Sequence, residues 1–371
     1  MRIGIDARLV HYRRGGIARY VMGLLGGLAA LNHEDQFVVL QSRLDPYPLV
    51  QEPNFRRYDL WTPPHHAREQ LLLPLELSLT GIDLLHSPDF IPPQRRRCRS
   101  VITVHDLGFL IFPDLVTEES RRYYSQLEDA VRSTDAIIAV SEQTQRDMAT
   151  LLGVPPRRVD VIYHGVDRSF GPAANADALQ AFRRRRDLPE RYFLFVGTIE
   201  PRKNLGFLLD VYHSAFEHAS SEGKPHLLLA GQRGWRCDDI FERLDRPEYR
   251  ATVRHCDGFD TEDLVRLYQG ALALVLPSLY EGFGFPALEA MACGAPVVCS
   301  AVSSLPEVVG DAALSLAPDD APAWTGALRQ LAADAALRAE LSRKGIERAR
   351  LFDWRRAAGQ TLAVYRRALQ R

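Results

Sequence analysis

Short apolar runs alternate with amphipathic helical patterns along most of the chain, and this alternation starts twice. The first series of strand-like runs covers residues 2–7, 36–40, 82–87, 100–106, 136–141 and 159–163. The second series covers residues 192–196, 227–230, 252–256, 272–277, 296–299 and 313–316. Several of these runs are apolar on both faces, as in a parallel sheet that helices cover on both sides. The sequence therefore predicts an α/β protein with two doubly wound domains.

The break between the two series falls at residues 171–190, a segment that contains four consecutive arginines. We interpret this segment as an interdomain linker and the arginines as a solvated helix face. The predicted domains are then residues 1–170 and 191–350, with a closing helix in residues 351–371. Ligands of doubly wound sheets bind beyond the carboxyl ends of the strands, so we expect the active site in the cleft between the domains.

Composition and net charge limit the partners and the compartment that we expect for this chain. The chain has 371 residues and a formal net charge of −1, so nothing indicates nucleic acid as a partner. The five cysteines fit neither a zinc site nor a disulfide framework, and we expect a cytoplasmic protein. The first residues show no signal-peptide core, and no apolar run is long enough for a bilayer. Peripheral contact with the inner membrane face stays open, and no pattern indicates an oligomeric state.

The most specific motif covers residues 277–290, where a buried strand ends and a glycine-rich turn leads into a helix. Gly282 and Gly284 lie in the turn, and a helix that begins this way favours phosphate at its N-terminus. Glu281 and Glu289 flank the turn, and each carboxylate can hold a diol through two hydrogen bonds. An ordinary acidic helix start and a dinucleotide-binding fingerprint are the alternative interpretations.

A second motif covers residues 196–204 and follows the first strand of the second series. Its adjacent cations, Arg202 and Lys203, could neutralise a diphosphate without a metal ion. The chain contains no Asp-x-Asp pair of the kind that holds Mg²⁺ or Mn²⁺ in metal-dependent sugar transfer. We therefore expect neither a metal nor a cofactor. The alternative interpretation of Arg202 and Lys203 is that they are two solvated cations in a loop.

The first series of strand-like runs contributes fewer candidate site residues. Gly15 and Gly16 follow the first strand and open a helix, which allows a ligand to approach the backbone; a plain turn is the alternative. His105 lies at a strand end, at the edge where ligands bind. Residues 61–68 and 109–113 are candidate acceptor loops or ordinary packed loops. The arginines at 95–97 and 99 could contact anionic lipid or form an exposed turn.

With these motifs, the chain resembles glycosyltransferase family 4 over nearly its full length. The resemblance is carried by Gly15-Gly16, Val104-His105-Asp106, residues 197–204, residues 277–284 with Glu289 (the E-x7-E motif), and residues 305–310. It implies the GT-B fold, in which two Rossmann-like domains enclose an interdomain cleft and a C-terminal helix crosses back to the first domain. Residues 1–170 would form the acceptor domain and residues 191–350 the donor domain.

The resemblance also implies roles for single residues. The implied catalytic residues are His105 beside the reacting sugar carbon, Arg202 and Lys203 on the diphosphate, and Glu281 on the sugar hydroxyls. The implied donor-binding residues are Gly15, Gly16, Gly197, Thr198, Phe283, Gly284, Phe285 and Glu289. Glu289 would hold the ribose, and residues 283–285 would offer backbone N–H groups.

The implied activity is retaining transfer of a hexose from a nucleotide-sugar donor to a saccharide or lipid-linked acceptor. The product would carry an α-linkage and belong to a polysaccharide or another glycoconjugate. Residues 3–8 and 16–20 resemble mannosyltransferases of the family, so GDP-mannose is the favoured donor, with glucose, galactose and N-acetylhexosamine still open. A nucleotide-sugar epimerase of the same fold and a non-catalytic nucleotide-sugar-binding protein are the alternative functions.

Overall fold

The structure is a computed structural model that describes residues 1–12, 15–31, 33–66, 68–115, 118–219 and 223–370, with the backbone alone at 119 and 120. The chain divides into two compact units. Unit 1 comprises Met1–Gly165 with Phe352–Arg371, and unit 2 comprises Val166–Leu351. Each unit is built on a parallel sheet flanked by helices, which confirms the predicted α/β class with two Rossmann-like domains.

Seven parallel strands form the sheet of unit 1. They are β1 (Arg2–Asp6), β2 (Gln36–Ser42), β3 (Phe55–Leu60), β4 (Leu84–Ser87), β5 (Arg99–Val104), β6 (Ala136–Ala139) and β7 (Val159–Val161). Their order is β3-β2-β1-β4-β5-β6-β7, so the strand order reverses between β1 and β4. The sequence patterns missed β3, because this edge strand carries Arg56, Arg57 and Asp59 and lacks an apolar run.

The helices of unit 1 cover both faces of this sheet. They are α1 (Leu9–Tyr12), α2 (Gly16–Leu31), α3 (Glu69–Leu77), α4 (Gly108–Ile111), α5 (Glu118–Tyr124), α6 (Leu127–Ser133) and α7 (Glu142–Leu152). Short 3₁₀ turns lie at Pro113–Leu115 and Pro156–Arg158. α7 shows why the boundaries fall where they do: the Ser141 hydroxyl accepts from the Thr144 N–H at its start, and Gly153 ends it at a φ of 64°.

Six parallel strands form the sheet of unit 2. They are β8 (Tyr192–Val196), β9 (His226–Ala230), β10 (Val253–Cys256), β11 (Ala273–Leu276), β12 (Val297–Ser300) and β13 (Leu314–Leu316). Their order is β10-β9-β8-β11-β12-β13, so the reversal lies between β8 and β11. All residues of β8 and β11 are buried, as expected for the centre of a sheet with helices on both faces.

The helices of unit 2 alternate with these strands and then continue without them. They are α8 (Ala176–Arg185), α9 (Leu205–Phe216), α10 (Asp238–Leu244), α11 (Pro247–Arg250), α12 (Thr261–Gly270), α13 (Phe285–Ala292), α14 (Leu305–Val309), α15 (Ala321–Ala333) and α16 (Ala335–Ala349). A 3₁₀ turn at Pro201–Lys203 lies between β8 and α9.

The segment interpreted as a linker is instead part of unit 2. Residues 171–190 contain α8, and the division between the units lies between Gly165 and Val166. The arginine run is not simply a solvated face, because Arg185 and Arg186 both form ion pairs with Asp263, a carboxylate that is buried. A buried carboxylate needs such partners, and this long-range pairing holds α8 against α12.

The chain returns to unit 1 through the last helix, α17 (Trp354–Gln370), which packs along α2. Three glycines make room for it. A Cβ atom at Gly23, Gly27 or Gly165 would overlap atoms of Trp354. The absence of side chains at these positions lets the Trp354 indole lie close to the backbone of α2. The expected C-terminal helix that crosses back to the first domain is therefore present.

A chain of buried polar side chains connects α17 to the interior of unit 1. The His86 Nδ1 atom lies 2.6 Å from the Tyr365 hydroxyl, and its Nε2 atom lies 2.8 Å from Thr103 Oγ1. The Tyr20 hydroxyl lies 2.9 Å from the same Thr103 oxygen. Burial, helped by the nearby His105, lowers the pKa of His86 to about 3, so this imidazole is neutral at neutral pH.

We expect acid to destabilise the protein through this buried histidine. The pKa of His86 is below its ordinary value of 6.5, so the unfolded chain takes up its proton first as the pH falls. The free energy of unfolding should therefore decrease from about pH 6.5 downward, by about 1.4 kcal/mol per pH unit for this one proton.

Urea unfolding of the native protein and His86→Gln at pH 7, 6, 5 and 4 measures this contribution. The variant is expected to be less stable at pH 7 but to lose stability less steeply on acidification. The pKa values of His105 and His164 are also lowered by burial, so a residual pH dependence should persist. Parallel pH profiles for the two proteins would contradict the assignment to His86.

Candidate active site

Two motifs that are distant in sequence meet in unit 2 at the carboxyl ends of β8 and β11. Gly197 and Thr198 directly follow β8, and the 3₁₀ turn at Pro201–Lys203 comes next. The glycine-rich turn follows β11 and leads into α13. Because the strand order reverses between these two strands, this edge is the position where doubly wound sheets bind their ligands.

A buried ion pair joins the two motifs. The Lys203 Nζ atom donates to Glu281 Oε1 at 2.7 Å, and the Ser278 hydroxyl donates to the same oxygen at 2.7 Å. Both residues of the pair are largely buried, with 7% of Lys203 and 6% of Glu281 exposed. Burial alone would raise the pKa of Glu281, but Lys203, Arg202 and the two hydrogen bonds outweigh it and lower the pKa. Glu281 is therefore an ionised carboxylate.

Arg202 lies beside this pair and is held by both loops. Its Nη1 atom donates to the Tyr280 carbonyl oxygen at 2.9 Å, and its Nη2 atom donates to Glu200 Oε1 at 2.9 Å. The same Nη1 atom lies 3.8 Å from Glu281 Oε2. The backbone N–H of Leu279 donates to the Arg202 carbonyl at 2.9 Å. These contacts fix both cations of the motif against the turn that follows β11.

The turn after β11 depends on glycine at one position. Gly284 has a φ of 98°, and a Cβ atom there would lie 2.8 Å from Leu305 Cδ2. This conformation allows the chain to enter α13 at Phe285 with Pro286 in the first turn. The positive end of the α13 dipole therefore lies at the same edge of the sheet as Lys203, which favours an anion there.

Glu289 lies inside α13, eight residues after Glu281 in the chain. It is 2% exposed, and its Oε2 atom accepts from the Tyr268 hydroxyl of α12 at 3.0 Å. The two carboxylates of the E-x7-E motif thus have different surroundings, one in an ion pair and one bonded to a phenol. The assignment of Glu289 to a ribose stays a prediction.

The candidates of unit 1 lie at the carboxyl end of its own sheet. Gly15 precedes α2 and Gly16 begins it, and a Cβ atom at Gly15 would meet nothing within 4 Å in the described structure. The described packing therefore does not require glycine at position 15. The plain-turn interpretation and the ligand interpretation of this pair both stay open.

His105 is fixed at the end of β5. Its Nε2 atom lies 2.9 Å from the Pro88 carbonyl oxygen, and because a carbonyl only accepts, Nε2 carries the proton. The ring packs edge-on against Tyr20, with the ring centroids 4.9 Å apart. Burial lowers the pKa of His105, although Asp89 and Asp106 oppose this effect. The lowered pKa favours the neutral imidazole, which can act on a ligand through hydrogen bonds.

Sequence reasoning missed a polar cluster in unit 1, at the carboxyl ends of β1 and β4. Its central residue is Arg8, which is buried between Asp6 and Glu69. A signal was present, because an acid ends the first strand and a base follows it at the point where the strand order reverses. The predicted acceptor loop at residues 61–68 contributes His65 to this pocket. The second predicted loop, residues 109–113, contributes no residue to it.

No helix within the described ranges combines the length and the apolar character needed to cross a membrane. Within the same ranges, no three or more His, Cys, Asp or Glu side chains are grouped so that they could hold a metal ion. The five cysteines are all free.

Comparison with known proteins matches both halves of the chain. Residues 14–170 match the family model Glycosyltransferase Family 4, and residues 177–348 match the model Glycosyl transferases group 1. O-antigen chain mannosyltransferase B of Escherichia coli is 34% identical over 284 residues, which cover 76% of this chain and 74% of that protein. Serotype-specific mannosyltransferase WbdA of Escherichia coli is 28% identical over 284 residues, which cover 76% of this chain but 35% of WbdA.

A solved structure supports the fold independently. Sucrose-phosphate synthase from Thermosynechococcus elongatus aligns with a TM-score of 0.80 at 23% sequence identity, over 99% of this chain and 98% of that one. A likeness at this identity concerns the fold alone. This likeness shows that the chain has the GT-B fold. The two family models and the relative that is 34% identical over most of both chains show that the chain is a glycosyltransferase and belongs to glycosyltransferase family 4.

Proposed function

We propose that the protein is a retaining, metal-independent mannosyltransferase of polysaccharide biosynthesis. It transfers mannose from GDP-mannose to a saccharide acceptor and forms an α-linkage. The observation that carries the proposal is the buried Lys203–Glu281 pair beside Arg202, at the point in unit 2 where ligands of doubly wound sheets bind. The choice of mannose rests on the two relatives, whose names describe mannosyltransferases.

The diphosphate leaving group explains why the site needs cations. Negative charge develops on the bridging oxygen when the bond to the sugar breaks, and fixed cations stabilise it without reorganisation. Glu281 occupies one of the three N–H donors of the Lys203 ammonium, so it positions the ammonium and leaves donors for a phosphate oxygen. Arg202 and the N-terminus of α13 add positive potential at the same edge. These groups replace a metal ion in the proposed mechanism.

Retention is proposed from the resemblance to family 4, and the surroundings of the carboxylates bear on how the protein achieves it. A covalent intermediate would need a carboxylate nucleophile, but Glu281 is held in a tight ion pair and Glu289 is buried against Tyr268. We therefore propose attack by the acceptor hydroxyl on the face that the diphosphate leaves. The bond from the anomeric carbon to the diphosphate oxygen breaks, a bond to the acceptor oxygen forms, and the hydroxyl proton moves to the departing diphosphate.

The stereochemistry and the metal requirement can be tested in one experiment. The protein is incubated with GDP-mannose and methyl α-mannoside, with EDTA or with added Mg²⁺ or Mn²⁺, and anomeric signals are followed by NMR. We expect an α-linked disaccharide as the first product, at equal rates with EDTA and with metal. UDP-glucose in place of GDP-mannose tests the choice of sugar and should give at most slow transfer.

Each part of the proposal has an outcome that contradicts it. A β-linked first product would exclude retention, and activity that EDTA abolishes and Mn²⁺ restores would exclude the metal-free mechanism. Release of a free epimerised sugar without acceptor would favour the epimerase instead.

We place the activity in the cytoplasm, where free thiols such as the five cysteines stay reduced.

A further inference from the structure

The short segment between β12 and α14 contacts the glycine-rich turn of the candidate site, and the proposed mechanism does not use it. β12 ends at Ser300 and α14 begins at Leu305, so the segment comprises residues 301–304. Residues 305–310 carry part of the family resemblance, but the resemblance implies no role for them. The contacts of Ser303, Ser304 and Leu305 show what this part of the chain holds in place.

Ser303 holds the backbone N–H of Glu281. This N–H donates to the Ser303 hydroxyl oxygen at 2.9 Å, between residues that are 22 positions apart in the chain. Ser303 has a φ of 53°, in the left-handed region that residues with a side chain rarely adopt. Glycine adopts this conformation at lower cost, but it offers no hydroxyl to the Glu281 N–H. Backbone conformations of this kind cluster at functional sites, where the surrounding contacts maintain them.

Ser304 holds the carbonyl oxygen of the same residue. Its hydroxyl donates to the Glu281 carbonyl oxygen at 2.8 Å, and its side chain is fully buried. Ser304 also precedes the first turn of α14, where a serine side chain ordinarily accepts from an N–H of its own helix. Among the described residues, no such hydrogen bond forms at Ser304. Its hydroxyl therefore serves the turn after β11 and not the helix that it precedes.

Leu305 supports the other end of the glycine-rich turn. A Cβ atom at Gly284 would lie 2.8 Å from Leu305 Cδ2, so the leucine side chain lies directly against the backbone of the turn. Leu305 is fully buried. Arg348 of α16 anchors α14, because its Nε atom donates to the Val308 carbonyl oxygen at 3.0 Å. The segment and the start of α14 thus hold the turn at Glu281 and at Gly284.

Glu281 is held at its side chain as well as at its backbone. Its Oε1 atom accepts from Lys203 Nζ and from the Ser278 hydroxyl, each at 2.7 Å. Its N–H and carbonyl groups are bonded to Ser303 and Ser304, so both ends of the residue are fixed. The ammonium that pairs with this carboxylate is thereby fixed too. Charge stabilisation depends on such fixed groups, and a displacement of about 1 Å can cost roughly a hundredfold in rate.

We infer that Ser303 and Ser304 are positioning residues for sugar transfer. Their hydroxyls fix the backbone of Glu281, the Glu281 carboxylate fixes the Lys203 ammonium, and the ammonium stabilises the charge on the leaving diphosphate. The inference rests on the proposed function, because it names the residues that hold the proposed cation in place. Neither serine is assigned a contact with the donor.

The test uses Ser303→Gly and Ser304→Ala, with Ser300→Ala as the matched control. Ser300 ends β12, is fully buried, and its hydroxyl has no hydrogen-bond partner among the described residues. We expect kcat with GDP-mannose to fall roughly tenfold or more in both test variants, and the KM for GDP-mannose to stay within about twofold of the native value. Ser300→Ala should keep the native kcat. Ser303→Gly should fold normally, because glycine adopts this φ without strain.

A comparison in a second background separates positioning from a structural contribution. The background is Lys203→Met with Glu281→Gln, which lacks the charges that the serines position. Addition of Ser303→Gly or Ser304→Ala should lower the residual kcat of this background by less than about twofold, because residues that act as one unit are not additive. A full tenfold loss in this background would overturn the inference, as would native kcat in both single variants.

Hydrogen exchange of the Glu281 amide gives a readout that does not depend on sugar transfer. This amide should be protected in the native protein and in Ser300→Ala, and it should exchange roughly tenfold faster or more in Ser303→Gly. Equal exchange rates in Ser303→Gly and the native protein would overturn the inference. A native protein that transfers no sugar but shows the expected exchange rates would instead overturn the proposed function, while the hold of Ser303 on Glu281 would stand.

Discussion

Replacement of Lys203 with alanine should lower kcat/KM for sugar transfer at least a hundredfold. The ammonium is buried beside Arg202 at the N-terminus of α13, where a departing diphosphate gains charge. Removal of one preorganised donor from a comparable site costs roughly 2.7–4 kcal/mol of transition-state stabilisation. Steady-state kinetics at saturating acceptor would show the loss mainly in kcat, because the charge develops only as the bond breaks.

A loss of activity must be separated from a loss of folding. Lys203→Ala leaves Glu281 buried without its ammonium, and breaking a buried ion pair costs roughly 3–5 kcal/mol of stability. The pKa of Glu281 should rise in this variant, because burial opposes the charged form and Lys203 is the main group that lowers it. The double variant Lys203→Met with Glu281→Gln removes both charges together. It should recover much of the stability and none of the activity.

Lys344→Ala is the matched control, since this lysine lies on α16 in a surface pair with Glu340. It should retain native kcat and stability. Near-native turnover in folded Lys203→Ala would remove this residue from the mechanism. Recovery of turnover in the double variant would show that the pair serves folding alone.

Replacement of Trp354 with alanine should lower the free energy of unfolding of unit 1 by about 3 kcal/mol, the low end of the cost for a core aromatic, because the indole is partly buried. The indole lies against Gly23 of α2 and against Gly165, and its ring stacks on His164 with 5.6 Å between the centroids. Gly23 and Gly27 of α2 carry no side chain that could move into the space, and the neighbouring Tyr20 is held by its hydrogen bond to Thr103. The cavity should therefore persist and weaken the packing of α17.

Hydrogen exchange locates this effect. Amides of α2 and α17 should lose protection in Trp354→Ala, while those of β8 and β11 in unit 2 should keep theirs. Trp61→Ala is the control in the same unit, because this indole is 70% exposed and should cost less than about 1 kcal/mol. Native protection of α17 in Trp354→Ala would mean that the remaining contacts of the helix suffice.

Much of the fold could be predicted from sequence because buried parallel strands leave a strong local signal. Runs such as Tyr192–Val196 are apolar on both faces, and helical patterns separate them at regular intervals. The edge strand β3 lacked that signal because solvent covers part of it. The linker was placed wrongly because the partner of its arginines, Asp263, lies 77 residues away from Arg186 in the chain.

The candidate site was predictable to a similar extent. The position of both motifs directly after strands predicted that Arg202, Lys203, Glu281 and Glu289 belong to one site. Spacing could not show that Lys203 and Glu281 form a buried pair, since this depends on how β8 and β11 lie side by side. The polar cluster around Arg8 was missed for the same reason: its side chains come from β1, β4, the start of α3 and the loops between these elements.

A crystal structure of the protein with bound GDP-mannose would show where the diphosphate lies relative to Lys203 and Arg202. We expect the diphosphate within hydrogen-bond distance of Lys203 Nζ and the Arg202 guanidinium, at the N-terminus of α13. A nucleotide bound at another place, with Lys203 still bonded only to protein and Arg202 in contact only with protein or water, would contradict this expectation.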